Sequence, residues 1–83
     1  MKQEEIKKKI IEILKRYTFN DEVWNGFSTD MKIISDLKIN SARIIDIVLD
    51  IEEEFDIEIP DKEIEKIITV RELIEAISSK VSN

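Results

Sequence analysis

Eighty-three residues suffice for one small domain with a single core and leave no room for a second. The chain has no cysteine and no histidine. That excludes disulfides, thiolate metal sites, a thiol nucleophile and the usual general base, and it argues against a stand-alone enzyme. A net charge of −6 disfavours nucleic acid, whose phosphates would repel it, and suits basic patches on other proteins.

The apolar fraction of 42% supports a folded core despite 39% charged residues. Eighteen isoleucines, one glycine and one proline predict helices joined by few loops. No apolar run approaches the roughly 20 residues needed to cross a bilayer, and the N-terminus lacks the apolar core of a signal peptide. A cytoplasmic protein is the expectation. The charge is uneven: residues 1–17 are net +3, residues 41–56 are net −5, and residues 18–40 and 57–83 are each net −2.

Ile6, Ile10, Ile13, Leu14 and Tyr17 fall at helical spacing and predict a first amphipathic helix of about four turns. Its lysines are interleaved with acids and not with aromatics, so they read as a solvated face rather than a nucleic-acid patch. Residues 18–40 lack periodicity and carry turn chemistry at Asn20-Asp21, Asn25-Gly26 and Ser28-Thr29-Asp30, with Gly26 free to take positive φ. Val23, Trp24, Phe27, Ile33, Ile34 and Leu37 are expected to pin this long connection to the core. For Trp24, a ligand or partner contact is the alternative to packing.

The run from Ala42 to Phe55 predicts a second helix with Ile44, Ile47, Val48, Ile51 and Phe55 inward. Ile45 and Leu49 fall further round, beside Ala42, Asp46 and Glu53. That outward face is either ordinary scattered surface or a docking face with an apolar centre and an acidic rim. Asn40 is placed to cap the helix and Ser41 to sit in its first turn, where free amides and the dipole favour an anion. Serine there is commonly a capping residue, and modification is the sharper alternative.

Residues 56–60 read as an extended connector ending at Pro60, which suits the start of a short helix over Asp61–Ile67 with Ile64, Ile67 and Ile68 inward. Thr69 and Glu72 have the pattern of a capping box. The last helix should bury Val70, Leu73, Ile74, Ile77 and Val81, and fray from Ser78. The predicted architecture is all-α: a small four-helix bundle of three longer helices and one short one, with a long loop after helix 1 and a single domain over residues 1–83.

Glu52, Glu53, Glu54, Asp56 and Glu58 lack the spacing of a metal loop and read as a solvated acidic face, with no metal site assigned. Phosphate loops and a Ser/His/Asp set are absent from the sequence. Ser41 has no base nearby in sequence, so it is better placed to receive a group than to attack a substrate.

Asp36-Leu37 followed by Ser41, then Ile45-Asp46-Ile47-Val48, the run Glu52 to Asp61, and Glu65-Lys66-Ile67-Ile68-Thr69-Val70 together resemble the acyl carrier proteins over roughly residues 33–77. The resemblance implies that Ser41 is the attachment site of 4′-phosphopantetheine, transferred from coenzyme A by a phosphopantetheinyl transferase, with an acyl group held as a thioester on the arm. It implies docking of partner enzymes through Ala42, Ile45, Asp46, Leu49, Glu52 and Glu53. Those partners would be acyl-loading and acyl-transferring enzymes with basic docking patches, met by a monomeric carrier with no catalytic residues and no membrane insertion.

The family usually reads Asp-Leu-Gly, a small or apolar residue, Asp-Ser-Leu. Here Lys38 stands for the glycine, Asn40 for the aspartate and Ala42 for the leucine, with Arg43 where an acidic or small polar residue is usual. These departures imply a specialised carrier serving a dedicated pathway rather than the housekeeping carrier of fatty acid synthesis, while the resemblance as a whole implies a fatty-acid, lipid or polyketide-type pathway. The alternatives are a peptidyl or aminoacyl carrier, and a carrier-like adaptor acting by contact without the arm.

Overall fold

The apolar repeat over Gln3–Lys15 forms α1, with Ile6, Ile10, Ile13 and Leu14 buried along one face. Glu4 and Glu5 in its first turn and Lys15 in its last complement the helix dipole. The computed structural model describes residues 2–19 and 21–81. Among the described residues three further helices follow: α2 (Ile44–Phe55), the short α3 (Asp61–Lys66) and α4 (Val70–Val81). The expected bundle of three longer helices and one short one is therefore the observed one, and α1 packs against both α2 and α4.

The long connection is pinned at five of the six apolar residues expected to hold it. Ile33 and Leu37 are buried, while Val23, Trp24 and Phe27 lie half-buried against the core. A short 3₁₀ turn, Asp21–Trp24, brings Trp24 round so that its indole N–H donates to Thr18 Oγ1 at 3.1 Å. Its ring lies 5.2 Å from that of Phe27 and takes the Lys15 ammonium at 5.6 Å. Gly26 has φ 71° as expected; the Asn20 half of the neighbouring turn signal lies outside the described residues.

The far end of the connection is stapled to α4, which sequence periodicity does not reveal. The amide of Ile33 donates to the Ile68 carbonyl, that of Val70 to Met31, and that of Arg71 to Thr29 at 2.8 Å. Arg71 also pairs with Asp30 at 2.7 Å. The capping box is formed: Thr69 Oγ1 accepts from the Glu72 amide, and the Glu72 carboxylate accepts from the amides of Thr69 and Ile68. Those bonds to the charged form hold the Glu72 carboxyl below its ordinary range. The helix keeps its pattern through Val81, so the expected fraying from Ser78 is not found up to that residue.

Two burial expectations need correction. Ile34 and Ile68, expected inside, are 47% and 55% exposed. Both stand at an open apolar cavity, where there is no opposing side chain to cover them. Conversely, Ile39 and Ile59 are buried in stretches with too little regular structure for a helical stripe to show.

The basic α1 and acidic α2 meet along one seam. Lys9 pairs with Glu54 and Arg16 with Asp50, each at 3.6 Å, and the Lys9 ammonium sits 5.9 Å from the Phe55 ring. Pairs this exposed are worth at most about 1 kcal/mol each, so they align the helices more than they hold them. Just past α1, the Tyr17 hydroxyl donates to Asp50 Oδ2. That hydrogen bond, then burial, then the charges of Asp50 and Asp46 raise the Tyr17 pKa above its ordinary value. A raised native pKa means the stabilisation is fully present below the unfolded value of about 10 and is lost as pH rises through the native value. Alkaline urea unfolding should therefore show a loss of stability in this range, which Tyr17→Phe reduces. An identical alkaline profile in the two proteins would contradict this linkage.

Candidate functional site

The site begins at a change of direction. Lys38 adopts φ 59°, ending the turn that starts at Lys32 and sending Ile39 into the core. Asn40 follows in an extended conformation, and its side-chain oxygen accepts from the Ala42 amide at 2.9 Å, the predicted capping role. Ser41, Ala42 and Arg43 then form a 3₁₀ turn, and the α-helix begins only at Ile44. This corrects the expected placement of Ser41 in the first turn of the α-helix.

The 3₁₀ turn changes the electrostatics at Ser41. The amides of Ala42, Arg43 and Ile44 are taken by the Asn40 side chain, the Asn40 carbonyl and the Ser41 carbonyl respectively. The cations nearest Ser41 along the chain are Lys38 and Arg43, both exposed, and the Arg43 guanidinium is paired with Asp46. The Ser41 side chain itself is exposed, and among the described residues its hydroxyl makes no hydrogen bond. It is open to an incoming group.

Behind it, α2 divides as its periodicity predicts. Ile47, Val48, Ile51 and Phe55 are buried and Ile44 is half-buried. Ile45 and Leu49 are 57% and 53% exposed, beside exposed Ala42 and Glu53. The carboxylates divide too. Asp50 and Glu54 turn to α1, while Asp46 takes Arg43 at 3.1 Å. Glu52 is half-buried, and its Oε2 accepts from the Ile59 amide at 2.8 Å, bracing the connector. Asp56 closes the helix in the left-handed conformation, φ 53°, with its amide and that of Ile57 both on the Glu52 carbonyl.

On its inward side α2 walls a cavity of about 350 Å³ between α3, the loop end of the connection and the start of α4. Ile44, three residues beyond Ser41, lines it together with Ile47, Val48, Ile51, Ile64 and Ile67. The lining is isoleucine, valine and leucine apart from Lys32, Ser35 and Glu65. Such a space suits a flexible apolar chain and offers few partners to a polar one. The sequence yields its wall residues but not the gap between them. An open hydroxyl, flanking cations and an adjoining apolar cavity fit a phosphate-linked arm bearing an apolar cargo.

Comparison with known proteins agrees with this geometry. A family model described as "Phosphopantetheine attachment site" matches residues 4–77. The acyl carrier protein of Campylobacter hominis is 41% identical over 54 residues, covering 65% of this chain and 68% of that protein. The chain thus belongs to the acyl carrier protein family, whose cofactor is 4′-phosphopantetheine.

Proposed function

We propose that this chain is a single carrier domain over residues 1–83 that holds acyl intermediates on an arm attached at Ser41 and presents them to partner enzymes in the cytoplasm. The observation that carries the reading is the Ser41 hydroxyl, exposed and unbonded among the described residues, at the head of the helix that walls the apolar cavity. When attached, 4′-phosphopantetheine supplies the thiol that carries an acyl group as a thioester. Ser41 provides the oxygen that anchors it, and Ile44, Ile47 and Val48 line the space into which an apolar chain can fold back. The nearly all-aliphatic lining favours a fatty-acid or lipid-type cargo over an aminoacyl or peptidyl one.

Docking is proposed for Ala42, Ile45, Asp46, Leu49, Glu52 and Glu53. Ile45 and Leu49 supply the apolar centre, since they are exposed and neither is needed by the core. Glu53 has no fold partner among the described residues, so its charge is the one most available to a basic patch. Asp46 must share its charge with Arg43, and Glu52 acts with its carboxylate partly committed to Ile59. Partners are therefore a phosphopantetheinyl transferase and enzymes with basic, partly apolar docking patches, bound by a monomeric carrier.

Co-expression with a phosphopantetheinyl transferase should add the mass of one phosphopantetheine group, seen by intact-protein mass spectrometry, and Ser41→Ala should abolish the gain. A mass gain that survives Ser41→Ala, or a wild-type protein that several transferases leave unshifted, would sink the proposal. Loading an octanoyl chain should raise the melting temperature by several degrees, because burying apolar carbons stabilises the folded form by up to about 0.8 kcal/mol per methylene. Equal melting of octanoyl-loaded and unloaded holo-protein would mean that the cavity stays empty. Leu49→Ala should shift stability by only about 0.5 kcal/mol, as for a surface change, yet raise the transferase KM for the carrier. An unchanged KM would remove Leu49 from the docking face.

A further inference from the structure

Lys38 stands out as a residue whose backbone and side chain point to different requirements. Its φ of 59° lies in the left-handed region, costly for an ordinary L-residue and easy for glycine. Among the described residues the other positive-φ positions are Gly26 and Asp56. Glycine has no Cβ, and aspartate is a short polar residue of the kind enriched in that region. Lysine has neither advantage, so a strained lysine at such a position points to a task for its side chain.

The surroundings indicate the task. Lys38 is exposed, two residues before the cap Asn40 and three before Ser41, and has no ion-pair partner among the described residues. The second cation near Ser41, Arg43, is turned to Asp46. The backbone amides of Ala42, Arg43 and Ile44 are already occupied. Meanwhile the face beyond Ser41 presents Asp46, Glu53 and Asp56. That face attracts basic partners but repels a polyanionic donor approaching the same serine.

We infer that Lys38 is a specificity-determining residue for the loading of Ser41, its ammonium meeting the diphosphate of coenzyme A during transfer. The inference rests on Ser41 being the attachment site. In that step Ser41 Oγ gives up its proton to a general base of the transferase and bonds to the phosphorus that bears the pantetheine arm. The bond from that phosphorus to the bridging oxygen breaks, and adenosine 3′,5′-bisphosphate leaves with the electron pair. Negative charge grows on the leaving phosphate while a phosphodiester forms at Ser41. A cation on the adjoining turn lowers the energy of both and offsets the field of α2.

The test uses the apo protein, a phosphopantetheinyl transferase and coenzyme A, with kcat/KM for coenzyme A measured at saturating carrier and KM for the carrier measured separately. Lys38→Gln and Lys38→Gly should each lose roughly threefold to tenfold in kcat/KM for coenzyme A, with Lys38→Arg close to wild type. Lys38→Gly should also melt higher by about 5 °C, so that its loss of rate cannot be a loss of fold. A defect confined to KM for the carrier would mean that the ammonium meets the transferase itself, and unchanged kinetics would mean that it meets nothing. Either result overturns the inference while leaving Ser41 in place. A wild-type protein that is never loaded overturns the attachment reading, and this inference with it.

Discussion

Burial of one stripe of α2 against the rest of the bundle is the constraint from which the other features follow. Ile47, Val48, Ile51 and Phe55 must leave water. Once they do, the helix has a single rotational setting about its axis. That setting turns Ile45 and Leu49 outward, sets Ile44 at the edge of the cavity, and leaves Ser41 exposed at the helix's approach. A rotation of one residue, about 100°, would bury carboxylates and expose the core stripe, at a cost well beyond the marginal stability of so small a domain.

Charge follows the same geometry. The carboxylates nearest α1 are matched by Lys9 and Arg16, with the Tyr17 hydroxyl added at Asp50, so the acidic seam is neutralised where two helices meet. Glu52 is drawn inward to the Ile59 amide, which keeps the connector folded under the helix. What remains outside is Asp46 with its Arg43 partner, together with Glu53 and Asp56. The outward side of α2 thus carries Asp46, Glu53 and Asp56 around the exposed Ile45 and Leu49, with Lys38 and Arg43 at the serine end of the chain segment.

The cavity is the converse of good packing. Small domains ordinarily fill their interiors to crystal-like density, and a space of about 350 Å³ walled by isoleucine is a place where stabilising contacts have been given up. The exposed Ile34 and Ile68 at the cavity belong to the same concession. The hydrogen bonds tying residues 29–33 to the start of α4 keep the connection in place beside that space, where apolar packing alone is thin.

Local chemistry alone determined much of this protein. Helical spacing marks α1, α2 and α4; the Asn40 cap and the Thr69–Glu72 box mark helix starts; Gly26 marks a turn. Each depends on residues within about one turn of one another, so one stretch of chain contains the whole cause. The resemblance to carriers likewise rests on one contiguous region around Ser41. Tertiary structure alone decided the rest. Tyr17 and Asp50 are 33 residues apart, and the bonds of Ile33 to Ile68 and of Val70 to Met31, like the gap between α2 and α3, involve stretches that no local pattern relates. Whether Ile34 is core or rim, and whether Glu52 faces a partner or braces Ile59, depends on what the fold places opposite each side chain. A sequence lists the side chains, but only the assembled chain determines their neighbours.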